Sequence, residues 1–301
     1  MVSLPAPSAL LRWFPMFEAF ETSRFLARPV HLFLFTLQGN AYRFASGARD
    51  MMIGNGDGAR LYRSAPGIER SAVNETSERS QNKLTIKMPF LLNPAAAELP
   101  VTQEFGRIFR PYAPSGRVSV VCMKVHSNDP DLKAVIEWTG QVVSPRFTDT
   151  TLTLTCERNN SRKGFRGNTG RFTRGCWKAL YRCGVAMSDH AVEAVLASVG
   201  GATLRSAAFA AFPAGRLEGG VMVWARSNGL AETRTINSHA GDTITLNYPG
   251  PELAAGLTVT VAPGCAHTHT DCGTYFQNTP NYGGQPQLNV ENPFDGHRIS
   301  W

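Results

Sequence analysis

Six of the 301 residues of this chain are cysteines, and four of the six fall into two matched pairs. Cys176 and Cys183 (GCWKALYRCG) are separated by six residues, as are Cys265 and Cys272 (GCAHTHTDCG). Glycine brackets each pair, at Gly175, Gly184, Gly264 and Gly273. A glycine beside a ligand lets the backbone come close and leaves amide N–H groups free to point at a sulfur. Three chemistries suit four thiols so arranged. Two disulfides belong to an oxidising compartment. Were Cys176–Cys183 one continuous helix, its ends would stand about 10 Å apart, beyond the roughly 4.4–6.8 Å that a bridge spans. Zinc accepts four thiolates, usually from pairs two to four residues apart. An iron–sulfur cluster also takes four and is wider than a single ion, so it tolerates ligands that stand further apart. The spacing favours a four-cysteine metal site over four unrelated core residues and does not choose the metal.

The neighbouring candidates are weaker. His267 and His269 share one side of an extended segment if the chain alternates there; they are expected as donors around the sulfurs or as surface residues rather than as ligands. Cys122 and Cys156 lie inside apolar strand patterns and read as small core residues. The sequence holds no HExxH, no GxSxG, no GxxxxGK[ST] and no GxGxxG followed by an acid. No enzyme is expected.

The elements that must position the cysteines read as β. Strand-length segments recur between turn-rich breaks at His31–Gln38, Lys83–Met88, Val118–His126, Ala134–Val143 and Thr150–Cys156. They recur again at Gly220–Ala225, Arg234–Asn237, Thr243–Asn247 and Leu257–Val261. In Thr150–Cys156 the positions Leu152, Leu154 and Cys156 share a face, and threonines take the other. Between the two sets, Trp177–Tyr181 and Met187–Ser198 read as short helices, with Ser188-Asp189 as the N-cap of the second. From Gly264 onward no periodicity remains. That tail still carries Tyr275, Phe276, Tyr282 and Phe294, and a chain end rich in aromatics is expected to dock rather than to stay disordered. The length fits two domains, placed at 1–160 and 161–301, the second ending in an irregular docked tail over 264–301.

Composition narrows the class. Apolar residues make up 43 % and charged residues 18 %, the latter below the roughly 25 % usual for soluble proteins, which points to a surface partly covered by neighbouring subunits. No window approaches the ~18 unbroken apolar residues of a membrane span. No basic region precedes a continuous apolar stretch at the N-terminus, so a chain made in the cytosol is expected. The net charge of +7 is partly clustered: Glu157 to Gly175 carries Arg158, Arg162, Lys163, Arg166, Arg171 and Arg174, with Phe165 and Phe172 among them. A solvated loop is the plain reading of that stretch, and a contact with phosphates or an acidic partner is the alternative.

Around the C-terminal cysteines the pattern becomes recognisable. A Gly-Cys (Gly264-Cys265) and a second cysteine (Cys272) come first. Phe276-x-Asn278, Asn281-Tyr282-Gly283-Gly284-x-Pro286 and Asn292-Pro293-Phe294 follow in that order. Upstream, Cys176 and Cys183 flank Leu180-Tyr181. The stretch Gly219-Gly220 to Leu246 carries Trp224, Asn228-Gly229, Ile236, His239 and Gly241, and Tyr42-Arg43-Phe44, Tyr62 and Ile68 to Ser71 match more loosely. The chain thereby resembles a family of tailed-phage and gene-transfer-agent baseplate hub (tail tip) proteins, the lambda-type tail tip proteins among them. It departs from the pattern at Ala266, where a charged residue is common, and at Tyr282, where Phe is.

The resemblance implies a mainly β fold of two barrel- or sandwich-like hub domains, with a short helical insert near the metal and an irregular tail. It implies a structural role in the virion, with assembly in the host cytoplasm as a homotrimer at the end of the tail tube. The implied partners are the distal tail or tube protein ring, a central tip or fibre-bearing hub protein and the tape-measure protein in the lumen, with DNA only in transit. It implies a structural 4Fe–4S cluster on Cys176, Cys183, Cys265 and Cys272. The alternative reading is a zinc-stabilised basic protein that binds nucleic acid. A third reading is a redox or hydrolytic enzyme that uses the cysteines with His267 or His269.

Overall fold

The computed structural model describes residues 16–54, 56–73, 83–93, 95–158 and 173–288. The chain divides into two compact units, Met1–Gly164 and Phe165–Trp301. Both are mainly β, with one sheet in each and few, short helices among the described residues.

The first unit begins with helix α1 (Met16–Thr22), followed by β1 (Pro29–Leu37), β2 (Asn40–Ala45), β3 (Met51–Ile53), β4 (Arg60–Ser64), β5 (Glu69–Arg70) and β6 (Lys83–Pro89). Helix α2 (Gln103–Arg107) precedes β7 (Ser119–His126), β8 (Val135–Phe147) and β9 (Thr151–Arg158). The nine strands run in the order β3-β4-β2-β1-β7-β8-β9-β6-β5. Apolar alternation sets the register. Leu84, Ile86 and Met88 of β6 face Cys156, Leu154 and Leu152 of β9 across the ladder. All six are buried while the threonines between them stay half-exposed, and burying a side chain of Leu, Ile or Met size contributes about 1.5–3 kcal/mol. Cys122 is wholly buried as well, and burial pushes its thiol up to about 12; Cys156 moves the same way. Both are inert core residues.

Helix α2 closes part of this core. Phe105 is fully buried, its ring 4.3 Å from that of Phe35 and 5.2 Å from that of Tyr42. Gly106 next to it admits the Phe90 ring, which a Cβ would meet at 2.3 Å. Gln103 extends the sheet with its side chain: Oε1 accepts the Leu91 N–H at 2.9 Å and Nε2 donates to the Leu91 carbonyl at 2.7 Å.

The second unit contains β10 (Val192–Val195), β11 (Ser198–Gly200), β12 (Thr203–Arg205), β13 (Val221–Ala225), β14 (Ala231–Ala240), β15 (Thr243–Leu246), β16 (Thr258–Ala262) and helix α3 (His269–Thr274). The strand order is β10-β16-β13-β14-β15-β12-β11. Leu196, Leu204, Phe209, Met222, Trp224, Ile236, Ile244 and Val261 form its core.

Two helices expected from sequence are absent. Residues 177–181 form turns. Met187–Ser198 is a single 3-10 turn at Met187–Asp189, then strand β10 and the first residue of β11. Ser188 does not cap a helix; its hydroxyl meets the Asp189 carboxylate. Ala, Glu and Leu permit a helix there, but only Ala194 and Leu196 are buried, two residues apart with exposed neighbours. That is a strand period, and pairing with β16 overrides propensity. Conversely, α3 lies inside the tail read as irregular. Most of the basic stretch, residues 159–172, lies outside the described residues.

Candidate metal centre

The sheet of the second unit brings the cysteine pairs together. Strands β10 and β16 are antiparallel, with Val192 opposite Val261. The start of β10 and the end of β16 therefore share one end of the sheet. Cys176 and Cys183 precede β10 and Cys265 and Cys272 follow β16, so both cysteine segments emerge side by side. The backbone leaving β16 also passes close against the one entering β13, without side chains between them. A Cβ on Gly264 would stand 1.8 Å from the Glu218 carbonyl oxygen, and one on Gly220 would stand 2.2 Å from that of Ala262.

Hydrogen bonds then lace the two segments. The Cys176 N–H donates to the His267 carbonyl at 2.8 Å, and His267 Nδ1 lies 3.0 Å from the Cys176 carbonyl oxygen, which it can only approach as a donor. Tyr181 donates its hydroxyl to the Pro263 carbonyl at 2.6 Å; burial holds this phenol well above its ordinary pKa, so it stays a donor. Tyr282 shares its hydroxyl proton between the carbonyls of Arg174 (2.6 Å) and His267 (3.2 Å). Thr268 caps α3 by accepting the Asp271 N–H at 3.1 Å.

All four predicted cysteines line one small cavity. Leu180, Val185 and Phe276 form the apolar part of its wall, and Lys178, His267, Asn278 and Asn281 complete it. The thiols are free, as are those of Cys122 and Cys156. Among the described residues, no three Cys, His, Asp or Glu side chains converge closely enough to hold a single metal ion.

N–H groups reach the sulfurs from specific places. His267 donates its backbone N–H to Cys265 Sγ at 3.3 Å and Gly283 donates its own to Cys176 Sγ at 3.3 Å. The space at Gly283 is tight: a Cβ would meet the Lys178 side chain at 3.0 Å and Trp177 Nε1 at 3.1 Å. These donors are not the glycines that bracket the pairs, which sequence reasoning had favoured. His267 and His269 also depart from the expected alternation. His267 has φ +58°, so the chain bends there, and His269 opens α3 with its ring edge-on to Tyr282.

The electrostatics oppose free thiolates. Burial pushes the Cys265 thiol up, the nearby Asp271 carboxylate adds to it, and the His267 N–H works the other way. Burial also raises Cys272, helped by Cys176 and Cys183 close by. A metal that binds here must displace protons. Beside the cavity, burial works to raise Asp271, yet the Ala266 N–H (2.9 Å) and Arg216 (2.5 Å) hold it below the ordinary carboxylate range. The Arg216 guanidinium lies 3.5 Å over the Tyr275 ring. Sequence reasoning missed Arg216 and Asp271, because nothing in their spacing marks them, and it met Asn278 only as part of the Phe276-x-Asn278 element, with no role assigned.

Known proteins resemble this chain in three respects. Residues 215–292 match the family described as "Phage conserved hypothetical protein BR0599". An uncharacterized protein of Xylella fastidiosa (strain 9a5c) is 44 % identical over 169 residues, covering 56 % of this chain. The chain spans about a third of that protein, since the match covers 34 % of it. A chain in the structure of the virion of native gene transfer agent (GTA) particle superposes with a TM-score of 0.66 at 20 % identity, over 95 % of this chain and 98 % of that one. The chain thus has the fold of a component of a gene transfer agent virion, and its segment 215–292, which carries Cys265 and Cys272, is similar to a family of phage proteins.

Proposed function

We propose that this protein is a structural component of a phage-like virion, the baseplate hub at the tip of the tail, with a 4Fe–4S cluster held by Cys176, Cys183, Cys265 and Cys272. The observation that carries the cluster is the convergence of four thiols, 81 residues apart between the pairs, on one cavity. The donor set fits: four sulfurs, N–H groups aimed at them and an apolar wall are what an iron–sulfur cluster requires. When bound, the cluster would supply cross-links between the start and the end of the second unit. Closing a loop that long costs entropy that grows only slowly with length, so four metal–sulfur bonds offset it readily.

The virion role draws support from the likeness to a gene transfer agent particle and to a phage protein family. The role is structural rather than catalytic: the cavity is walled by protein side chains and the ligand thiols face it. In this reading the protein assembles as a homotrimer between the distal tail ring and the central tip protein, around a lumen for tape-measure protein and DNA. The basic stretch from Arg158 to Arg174 contacts a neighbouring subunit. Gold-labelled antibody against this chain, applied to purified particles, is expected to mark the tail end. Labelling of the capsid, or absence of the protein from particles, would overturn the hub reading.

A further inference from the structure

Asn278 touches both cysteine pairs. Its side-chain Nδ2 donates to the Cys183 carbonyl at 3.0 Å and reaches Cys183 Sγ at 3.7 Å. Its backbone N–H donates to the Cys272 carbonyl at 3.0 Å. With His267 on Cys265 and Gly283 on Cys176, three of the four sulfurs receive an N–H, and Asn278 supplies the one at Cys183. The residue is itself held. Asn281 donates Nδ2 to Asn278 Oδ1 at 2.8 Å, which fixes the amide orientation, and Lys178 donates to the Asn281 carbonyl at 2.7 Å. A carboxylate at 278 would keep the shape and lose the donor.

We infer that Asn278 is the positioning residue that poises the metal centre, by donating to the Cys183 sulfur of one pair and bracing the Cys272 backbone of the other; this rests on the cluster reading above. N–H donors stabilise the more negatively charged, reduced state of a thiolate-held cluster and so raise its potential. Partners that orient ligands commonly govern metal retention by 10–100-fold.

The test uses full-length protein purified without oxygen, with iron and sulfide quantified in each sample. Electrode titration followed by electron paramagnetic resonance reads the potential, and a ferrous chelator reads the rate of bleaching. Asn278→Asp is expected to shift the potential negative and to bleach about 10-fold faster, with an unchanged far-ultraviolet circular dichroism spectrum. Asn281→Ala, which frees the amide without touching residue 278, is expected to shift both readouts the same way by less, and it carries the test if the first variant fails to fold. Loaded variants with the wild-type potential and bleaching rate would overturn the role of Asn278 alone. Wild-type protein with neither iron nor sulfide would overturn the cluster and this inference together.

Discussion

At Gly264 a side chain would collide with the backbone of the β13 approach, because its Cβ would lie 1.8 Å from the Glu218 carbonyl oxygen. Gly264→Ala is therefore expected to cost about 1–3 kcal/mol or more, measured by urea unfolding, with the loss confined to the second unit. The bracketing glycines were visible in the sequence, but for another reason than the one that holds here. Gly264 serves a backbone crossing, while the amides that reach sulfur belong to His267 and Gly283. Spacing could not reveal this. Tyr181, His267 and Gln277 all carry φ between +50° and +61° without being glycine, so the bends that aim these groups have no sequence signature.

Strands were legible where apolar residues alternate, as in β6 and β9, because the period of two is forced by a buried face. Short helices were not. Helix α2 spans five residues and α3 six, too few for a helical period to show, and both exist through packing rather than propensity. Phe105 of α2 tests this: Phe105→Ala is expected to destabilise the first unit by about 3–5 kcal/mol in denaturant unfolding, far beyond what a five-residue helix contributes by itself. Helix α1 docks by charge as well as by Phe17 and Phe20 against His126. The Lys124 ammonium, bonded to Glu21, holds that carboxyl below its ordinary value of 4.5, with His126 Nε2 at 2.9 Å adding to the effect against a burial cost. A depressed carboxylate contributes stability above its unfolded pKa and loses it as pH falls through the folded one. Amide shifts of α1 in a pH titration are thus expected to stay constant above about pH 5 and to change below it. Glu21→Gln is expected to abolish that dependence; an unaltered titration in this variant would refute it.

Over the whole chain, the mainly β class follows from alternation. The convergence of two cysteine pairs does not. It needs β10 beside β16, and β10 lies where the sequence permits a helix. Only the antiparallel pairing of Val192 with Val261 places both cysteine segments at one end of the sheet; matched spacing and a resemblance to known tail proteins linked the pairs beforehand, without showing how they meet. The most direct test of the central claim is the absorption spectrum of the full-length protein purified without oxygen from iron-replete cells, with iron, zinc and acid-labile sulfide measured on the same sample. Broad visible absorption with iron matched by sulfide, lost in Cys265→Ser, is the predicted result. A colourless protein holding one zinc, or no metal, would contradict it.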